Sequence, residues 1–183
     1  MKLAIFDMDG TLFNTNDVNY FAYKEALGVF NVDMDYDYYC NYCNGRHYKV
    51  FIPPLVDNDE EKIEAIHKMK KVAYSKYLDK VKVNERLFDI IKLIKNEYKI
   101  VLVTTASKKN TEDILNYTQK IDLFDDIITA DDITKPKPDP EVINLAIKKY
   151  NVDSKNVIIF EDADVGIEAA LKTGATIFKV EKF

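Results

Sequence analysis

What the chain has little of narrows its possibilities first. No apolar run approaches the roughly 20 residues that a membrane-spanning helix needs. The short apolar run near the N-terminus leads straight into charged residues and is too brief for a signal-peptide core. Lys and Arg form no dense cluster and the formal net charge is −5, which argues against a nucleic-acid backbone as partner. Internal repeats and low-complexity linkers are absent. Cysteine and histidine are scarce: Cys40 and Cys43 form a CxxC, followed by His47, and His67 is the only other histidine. A zinc site would need a fourth ligand, and His67 is the only histidine left to supply it. A thioredoxin-like pair would follow a strand, which DYDYYCNYCNG does not offer. Two reduced, core-facing thiols on a helix are expected instead. These absences lead to the expectation of a cytoplasmic protein with no membrane and no nucleic-acid partner; a monomer or weak dimer is expected by default.

The chain does have enough length and apolar content for a core. Its 183 residues are 47% hydrophobic and 31% charged, which fits one domain, or one domain carrying a smaller insertion. The stretch that organises the rest is Lys2 to Thr15, KLAIFDMDGTLFNT. Leu3, Ala4, Ile5 and Phe6 read as a strand buried on both faces, of the kind found in parallel sheets. Asp7 and Asp9 then project from its C-terminal end, and Gly10 lets the chain turn away. In an open α/β sheet that end is where ligands bind. Two carboxylates so close repel unless a cation or a shared proton intervenes. A divalent metal resolves this, with one Asp left to attack and the other to handle protons. A charged turn with Asp9-Gly10 at its tip is the plain alternative.

Further along, helices are expected over Asp17 to Phe30, Asn58 to Asp79 and Asn84 to Glu97, with short helices and loops over the tyrosine-rich stretch Asn31 to Leu55. From Lys99 the texture becomes a strand–helix alternation. KIVLVT (99–104), 126–129, NVIIF (156–160) and 175–180 read as strands; 111–120, 140–150 and 165–172 read as helices. Such alternation predicts a parallel sheet with right-handed crossovers. The helical stretch between the first two strands is too long for a crossover and reads as an inserted helical cap. The expected division is 1–14 with 83–183 as the α/β core, and 15–82 as the cap.

The strand ends collect a chemical set: Asp7 and Asp9, then Thr104 followed by Thr105 and Ser107, then Lys135 in TKPKPDP, then Glu161 and Asp162. Carboxylates from two strands make a hard, oxygen-rich site suited to Mg²⁺. A hydroxyl and a lysine at the same edge can hold phosphate oxygens. Prolines around Lys137 keep the Lys135 segment out of a helix. Taken singly, Thr104 fits a strand filler, Lys135 a solvated loop residue and Glu161-Asp162 a helix cap. Their order, each at a strand end, is what points to a site.

In that order the sequence resembles the haloacid dehalogenase superfamily, which is dominated by phosphatases. DMDGT matches its first motif, Thr104 its second, Lys135 in KPKPDP its third and FEDADVGIEAALKTG (160–174) its fourth. The insertion resembles the small helical cap of the β-phosphoglucomutase-like branch. The resemblance implies a Rossmann-like α/β fold with strand order 3-2-1-4-5, Asp7 as nucleophile forming an aspartyl-phosphate, and Asp9 as acid and base. It also implies Mg²⁺ held by Asp7, the Asp9 carbonyl and Asp162, with Glu161 a further ligand or an anchor behind it. Thr104, Thr105 and Lys135 would hold the phosphate. Family dehalogenases lack an acid at the Asp9 position, so Asp9 argues for phosphoryl transfer.

The implied partner is a small-molecule phosphate ester, with Mg²⁺ as cofactor. Candidates for substrate contact are Thr15, Asn19, Gly45-Arg46 and Lys49 in the cap, and Ser107 and Lys108 after the second motif. Tyr36, Tyr38, Tyr39, Tyr42 and Tyr48 fit cap core or an aromatic pocket. β-Phosphoglucomutases carry a histidine at the position of Asn19, so Asn19 favours hydrolysis over mutase chemistry. A sugar phosphomutase, a phospho-acceptor domain and a ligand-binding member without activity are the competing readings.

Overall fold

The computed structural model describes every residue except Gly45 and Lys182. The chain divides into two compact units, Met1–Asn14 with Lys82–Phe183, and Thr15–Val81. The first is an α/β unit. Its strands are β1 (Lys2–Phe6), β2 (Phe13–Asn14), β3 (Lys82–Val83), β4 (Tyr98–Val103), β5 (Asp126–Ile128), β6 (Val157–Glu161) and β7 (Thr176–Lys179). The second holds α1 (Asn16–Gly28), α2 (Tyr36–Tyr38), α3 (Tyr48–Phe51) and α4 (Glu60–Ala73). Helices α5 (Glu85–Ile94), α6 (Lys108–Tyr117), α7 (Glu141–Tyr150) and α8 (Asp164–Leu171) return to the first.

The main sheet is parallel, in the order β5-β4-β1-β6-β7. Counting only its own strands along the chain gives the expected 3-2-1-4-5, with the first strand central. The centre is set by composition: Leu3, Ala4, Ile5 and Phe6 are all buried, which only a strand covered on both faces allows. Leu3 and Ile5 join Val101, Val103, Val157 and Ile159 against Val142, Ile143 and Ala146 of α7 and Ala169 and Ala170 of α8. Alternation turns Phe6 to the opposite face, where its ring stacks on Phe160 at 4.5 Å between centroids. Parallel register brings Phe6 level with Phe160 and Leu102, so the residues after each strand emerge along one sheet edge. There Asp7 N–H is still held by the Phe160 carbonyl at 3.0 Å, and Thr104 N–H by that of Ile128 at 2.9 Å.

A second, two-stranded sheet escaped the sequence. Phe13 and Asn14 pair antiparallel with Val83 and Lys82. Two residues per strand carry no readable alternation, so periodicity has nothing to report there.

In the helical unit, a core forms from Tyr20, Tyr23, Ala26, Leu27, Met34, Tyr39, Cys43, Phe51, Ile52, Ile63 and Ile66. Helix α4 starts at an Asp59 cap whose side chain accepts the N–H groups of Glu61 and Lys62. The helix expected to reach Asp79 gives way after Ala73 to a 3₁₀ stretch, Tyr74–Lys80. Tertiary contacts override the periodicity: Tyr77 donates to Glu25 at 2.8 Å and Lys76 pairs with the same carboxylate. Cys40 and Cys43 lie in a single π-helical turn, Tyr39–Cys43. Both are free thiols, Cys43 buried and Cys40 half-buried. Of the five tyrosines weighed between core and pocket, Tyr39 is core, Tyr38 and Tyr48 pack at its margin, and Tyr36 and Tyr42 are exposed. Among the described residues, no helix is long and apolar enough to cross a membrane.

Candidate active site

Asp7 follows β1 directly and is buried, with 7% of its surface exposed. The chain then turns at Gly10, whose φ of +94° favours a residue without a β-carbon. Space demands glycine there too, since a Cβ would sit 2.2 Å from Asp162 Oδ2. Glu161 ends β6 and is buried, and its Oε1 accepts the Ala163 N–H at 3.1 Å. Gly166, on the first turns of α8, makes room for it: a Cβ there would meet the Glu161 carboxyl carbon at 2.1 Å. Thr11, fully buried, donates its hydroxyl to Asp162 Oδ1 at 2.8 Å. Neither Gly166 nor Thr11 was singled out from the sequence. The signal available was only their place inside the DMDGT and EDADVG stretches.

Among the described residues, the lysine that enters this cluster is Lys137. Its ammonium donates to Asp7 Oδ1 at 2.6 Å and to Glu161 Oε2 at 2.7 Å, with 6% of the side chain exposed. Lys135, the expected residue, is exposed, and its backbone N–H donates to Glu141 Oε2 at 2.7 Å. The lysine expectation is therefore corrected by two positions. In KPKP both lysines precede a proline, so local sequence is symmetric and only the loop's anchoring separates them.

The electrostatics follow from this packing. Asp7, Glu161 and Asp162 each offer a carboxylate oxygen, and the three lie within 4.8 Å of one another. Like charges at that spacing cost roughly 3–4 kcal/mol per pair at an effective dielectric near 20. Burial holds the Asp7 carboxyl well above the usual range; Glu161 and Asp9 push it further and Lys137 opposes them. Burial also raises Asp162, against the Thr11 hydrogen bond. Burial works against the Lys137 charge, but attraction to Asp7 and then Glu161 outweighs it and raises its pKa. Three carboxyl groups face a single ammonium, that of Lys137. That donor set, all hard oxygen, fits a small dication such as Mg²⁺. Among the described residues it is the one acidic, His or Cys cluster with such spacing.

The other expected residues fall as follows. Asp9 is half-buried two residues beyond Asp7. Thr104 is buried at the end of β4, and its hydroxyl oxygen accepts the Ala106 N–H at 3.0 Å. Thr105 is exposed. Ser107 caps α6 by accepting the Asn110 N–H, and Lys108 is exposed with its N–H on Asp131. In the helical unit Thr15 is buried. The Asn19 amide donates to the Thr15 carbonyl and hydroxyl oxygens at 3.1 and 3.2 Å. Lys49 pairs with Glu64 at 3.2 Å and Arg46 is exposed. Gly45, named with Arg46, lies outside the described residues.

Known proteins resemble this chain over most of its length. The family model of haloacid dehalogenase-like hydrolases matches residues 4–180. A phosphorylated carbohydrates phosphatase of Thermotoga maritima is 27% identical over 95% of this chain and 82% of the relative. The pyrophosphatase PpaX of Bacillus velezensis is 28% identical over 97% and 83%. In three dimensions the chain resembles CbbY of Rhodobacter sphaeroides, solved with phosphate. That match has a TM-score of 0.84 and 24% identity over all of this chain and 88% of the other. With its sheet order, its four strand-end segments and a match over nearly its whole length, the chain belongs to the haloacid dehalogenase-like hydrolases.

Proposed function

We propose that this protein is a Mg²⁺-dependent phosphatase that hydrolyses a small phosphorylated metabolite of the sugar-phosphate kind. The observation that carries the reading is the buried cluster of Asp7, Glu161 and Asp162 around the Lys137 ammonium. It combines a carboxylate held at a strand end with the positive charge a phosphate needs. The sugar-phosphate class comes from the phosphorylated carbohydrates phosphatase among the relatives.

In this reading an Asp7 carboxylate oxygen attacks phosphorus, and the P–O bond to the leaving alcohol breaks. Asp9 gives that alcohol its proton. An aspartyl-phosphate on Asp7 results, which splits one hard displacement into two. Asp9 then takes a proton from water as the water attacks phosphorus, releasing inorganic phosphate and restoring Asp7. Lys137 offsets the repulsion between Asp7 and the phosphate dianion, and the Thr104 hydroxyl donates to a transferring oxygen. Asp7, Asp162 and the Asp9 carbonyl would hold Mg²⁺, with Glu161 fixing Lys137 or joining them. Bound there, the metal supplies positive charge to the phosphate oxygens. Substrate choice is assigned to the helical unit as a cap, with Arg46 and Lys49 as the cationic groups offered to it.

The test is phosphate release from a panel of sugar phosphates, other phosphorylated metabolites and an aryl phosphate, with Mg²⁺ and with EDTA. Release that depends on Mg²⁺ and favours sugar phosphates is the expected result. Release from none of them, or release unaffected by EDTA, overturns the proposal.

A further inference from the structure

The KPKP segment offers two lysines two residues apart, and one of them reaches Asp7. What selects it lies outside the segment, on α7. The Glu141 carboxylate accepts the Thr134 N–H at 3.0 Å, the Thr134 hydroxyl at 3.0 Å and the Lys135 N–H at 2.7 Å. Glu141 is itself fixed, its N–H donating to Asp139 Oδ1 at 2.9 Å. At the other end of the segment, the ammonium of Lys172, the residue after α8, donates to the Pro138 carbonyl at 2.8 Å. Between the two holds lie only Pro136 and Lys137, and a proline's φ is fixed by its ring. Charge-assisted bonds to consecutive backbone N–H groups are short and directional. They leave the segment little freedom to slide by the two residues that would exchange one lysine for the other.

We propose that Glu141 is a positioning residue that sets the register of the KPKP segment. It holds the Thr134 and Lys135 amides so that Lys137 enters the acidic cluster and Lys135 stays in solvent. The catalytic part of this inference rests on the phosphatase reading; the register part does not.

Two experiments separate them. Lysine acylation read by mass spectrometry needs no activity. In the unaltered protein Lys135 labels readily and Lys137 is protected, and in Glu141→Ala Lys137 labelling rises several-fold. Glu141→Gln, which keeps one acceptor oxygen, falls between. Lys137 as protected in Glu141→Ala as in the parent overturns the register role. Kinetics on the best substrate then form a double-mutant cycle. Glu141→Ala lowers kcat about tenfold with little change in KM, yet costs less than twofold in a Lys137→Ala background. An equal loss in both backgrounds means that Glu141 acts on something other than Lys137, and overturns the catalytic part. A panel that yields no phosphate defeats the phosphatase reading alone, leaving the labelling result to stand or fall by itself.

Discussion

The two units of this chain use charge in opposite ways. In the α/β unit, carboxylates are taken out of water at strand ends and balanced by one ammonium, Lys137, whose two ion pairs are both less than a tenth exposed. In the helical unit, Lys49–Glu64, Lys24–Asp33 and Lys62–Asp59 are all well exposed, where an ion pair contributes ~0–1 kcal/mol. Its core is aromatic instead, with Tyr20, Tyr23, Tyr39 and Phe51 buried in it, and nine of the twelve tyrosines lie between Thr15 and Val81. Tyr20 donates its hydroxyl to the Met34 carbonyl at 3.2 Å, and Tyr77 donates to Glu25 at 2.8 Å. Burying like charges is costly and is tolerated where chemistry needs it. An interior of rings with hydrogen-bonded tips supplies stability without that cost. The contrast separates a unit built to react from one built to hold a shape.

Substitutions test that separation, and the largest effect is expected at Asp7. Asp7→Asn is nearly isosteric, so turnover falls more than a thousandfold, about 4 kcal/mol in the barrier, while circular dichroism stays unchanged. Measurable turnover above one per cent would remove Asp7 from the nucleophile's role. Lys137→Ala comes next, with a loss near a hundredfold, whereas Lys135→Ala stays within threefold; the reverse ranking would return the role to Lys135. Gly166→Ala forces its methyl onto the Glu161 carboxylate. It lowers kcat about tenfold and raises the Mg²⁺ concentration for half-maximal rate. An unchanged metal dependence would separate Glu161 from the cation.

The helical unit responds in stability rather than rate. Ile66, fully buried in its core, loses about 1 kcal/mol on truncation to Val, read by urea unfolding, with kcat/KM unchanged within twofold. The smallest effect is a pH slope. His67 stacks on Tyr48 at 3.6 Å and its Nδ1 is buried without a hydrogen-bond partner. Burial, then Lys71 and Lys70, lowers its pKa from the model-peptide value of 6.5 to about 4. The unfolded chain therefore takes up the proton first as pH falls. The stabilising contribution is complete above pH 6.5 and is lost as pH drops toward 4. In His67→Phe that part of the decline, a few degrees in Tm, disappears. An identical slope in both proteins would place its origin elsewhere.

How much of this could be read in advance depends on where a residue's role is decided. The parallel sheet was legible because burial on both faces writes uninterrupted apolar runs such as LAIF and NVIIF, whereas its strand order came only from the family resemblance. Asp7, Thr104, Glu161 and Asp162 were legible as strand-end residues, since a parallel sheet brings such positions to one edge. Lys137 was not, because KPKP reads the same in either register and the deciding carboxylate, Glu141, acts through backbone amides. Gly166 stayed hidden for a related reason: its meaning is the space it leaves for Glu161, and empty space has no sequence pattern. In the helical unit the aromatic residues announced a core but not which ring would sit at its edge. The break of α4 at Ala73 came from Glu25, some fifty residues earlier.

The small ribbon of β2 and β3 has a consequence for how such a chain can be varied. Asn14 and Lys82, paired across it, are the points where the chain leaves the α/β unit and comes back. Closing a loop the size of Thr15–Val81 costs roughly 4 kcal/mol in chain entropy, and the cost grows only with the logarithm of length. A longer, shorter or wholly different segment can thus be spliced between those neighbours at nearly the same cost, provided its own ends meet. The ribbon works as a socket: it lets the segment between Asn14 and Lys82 be exchanged while the strand ends of the α/β unit keep their geometry.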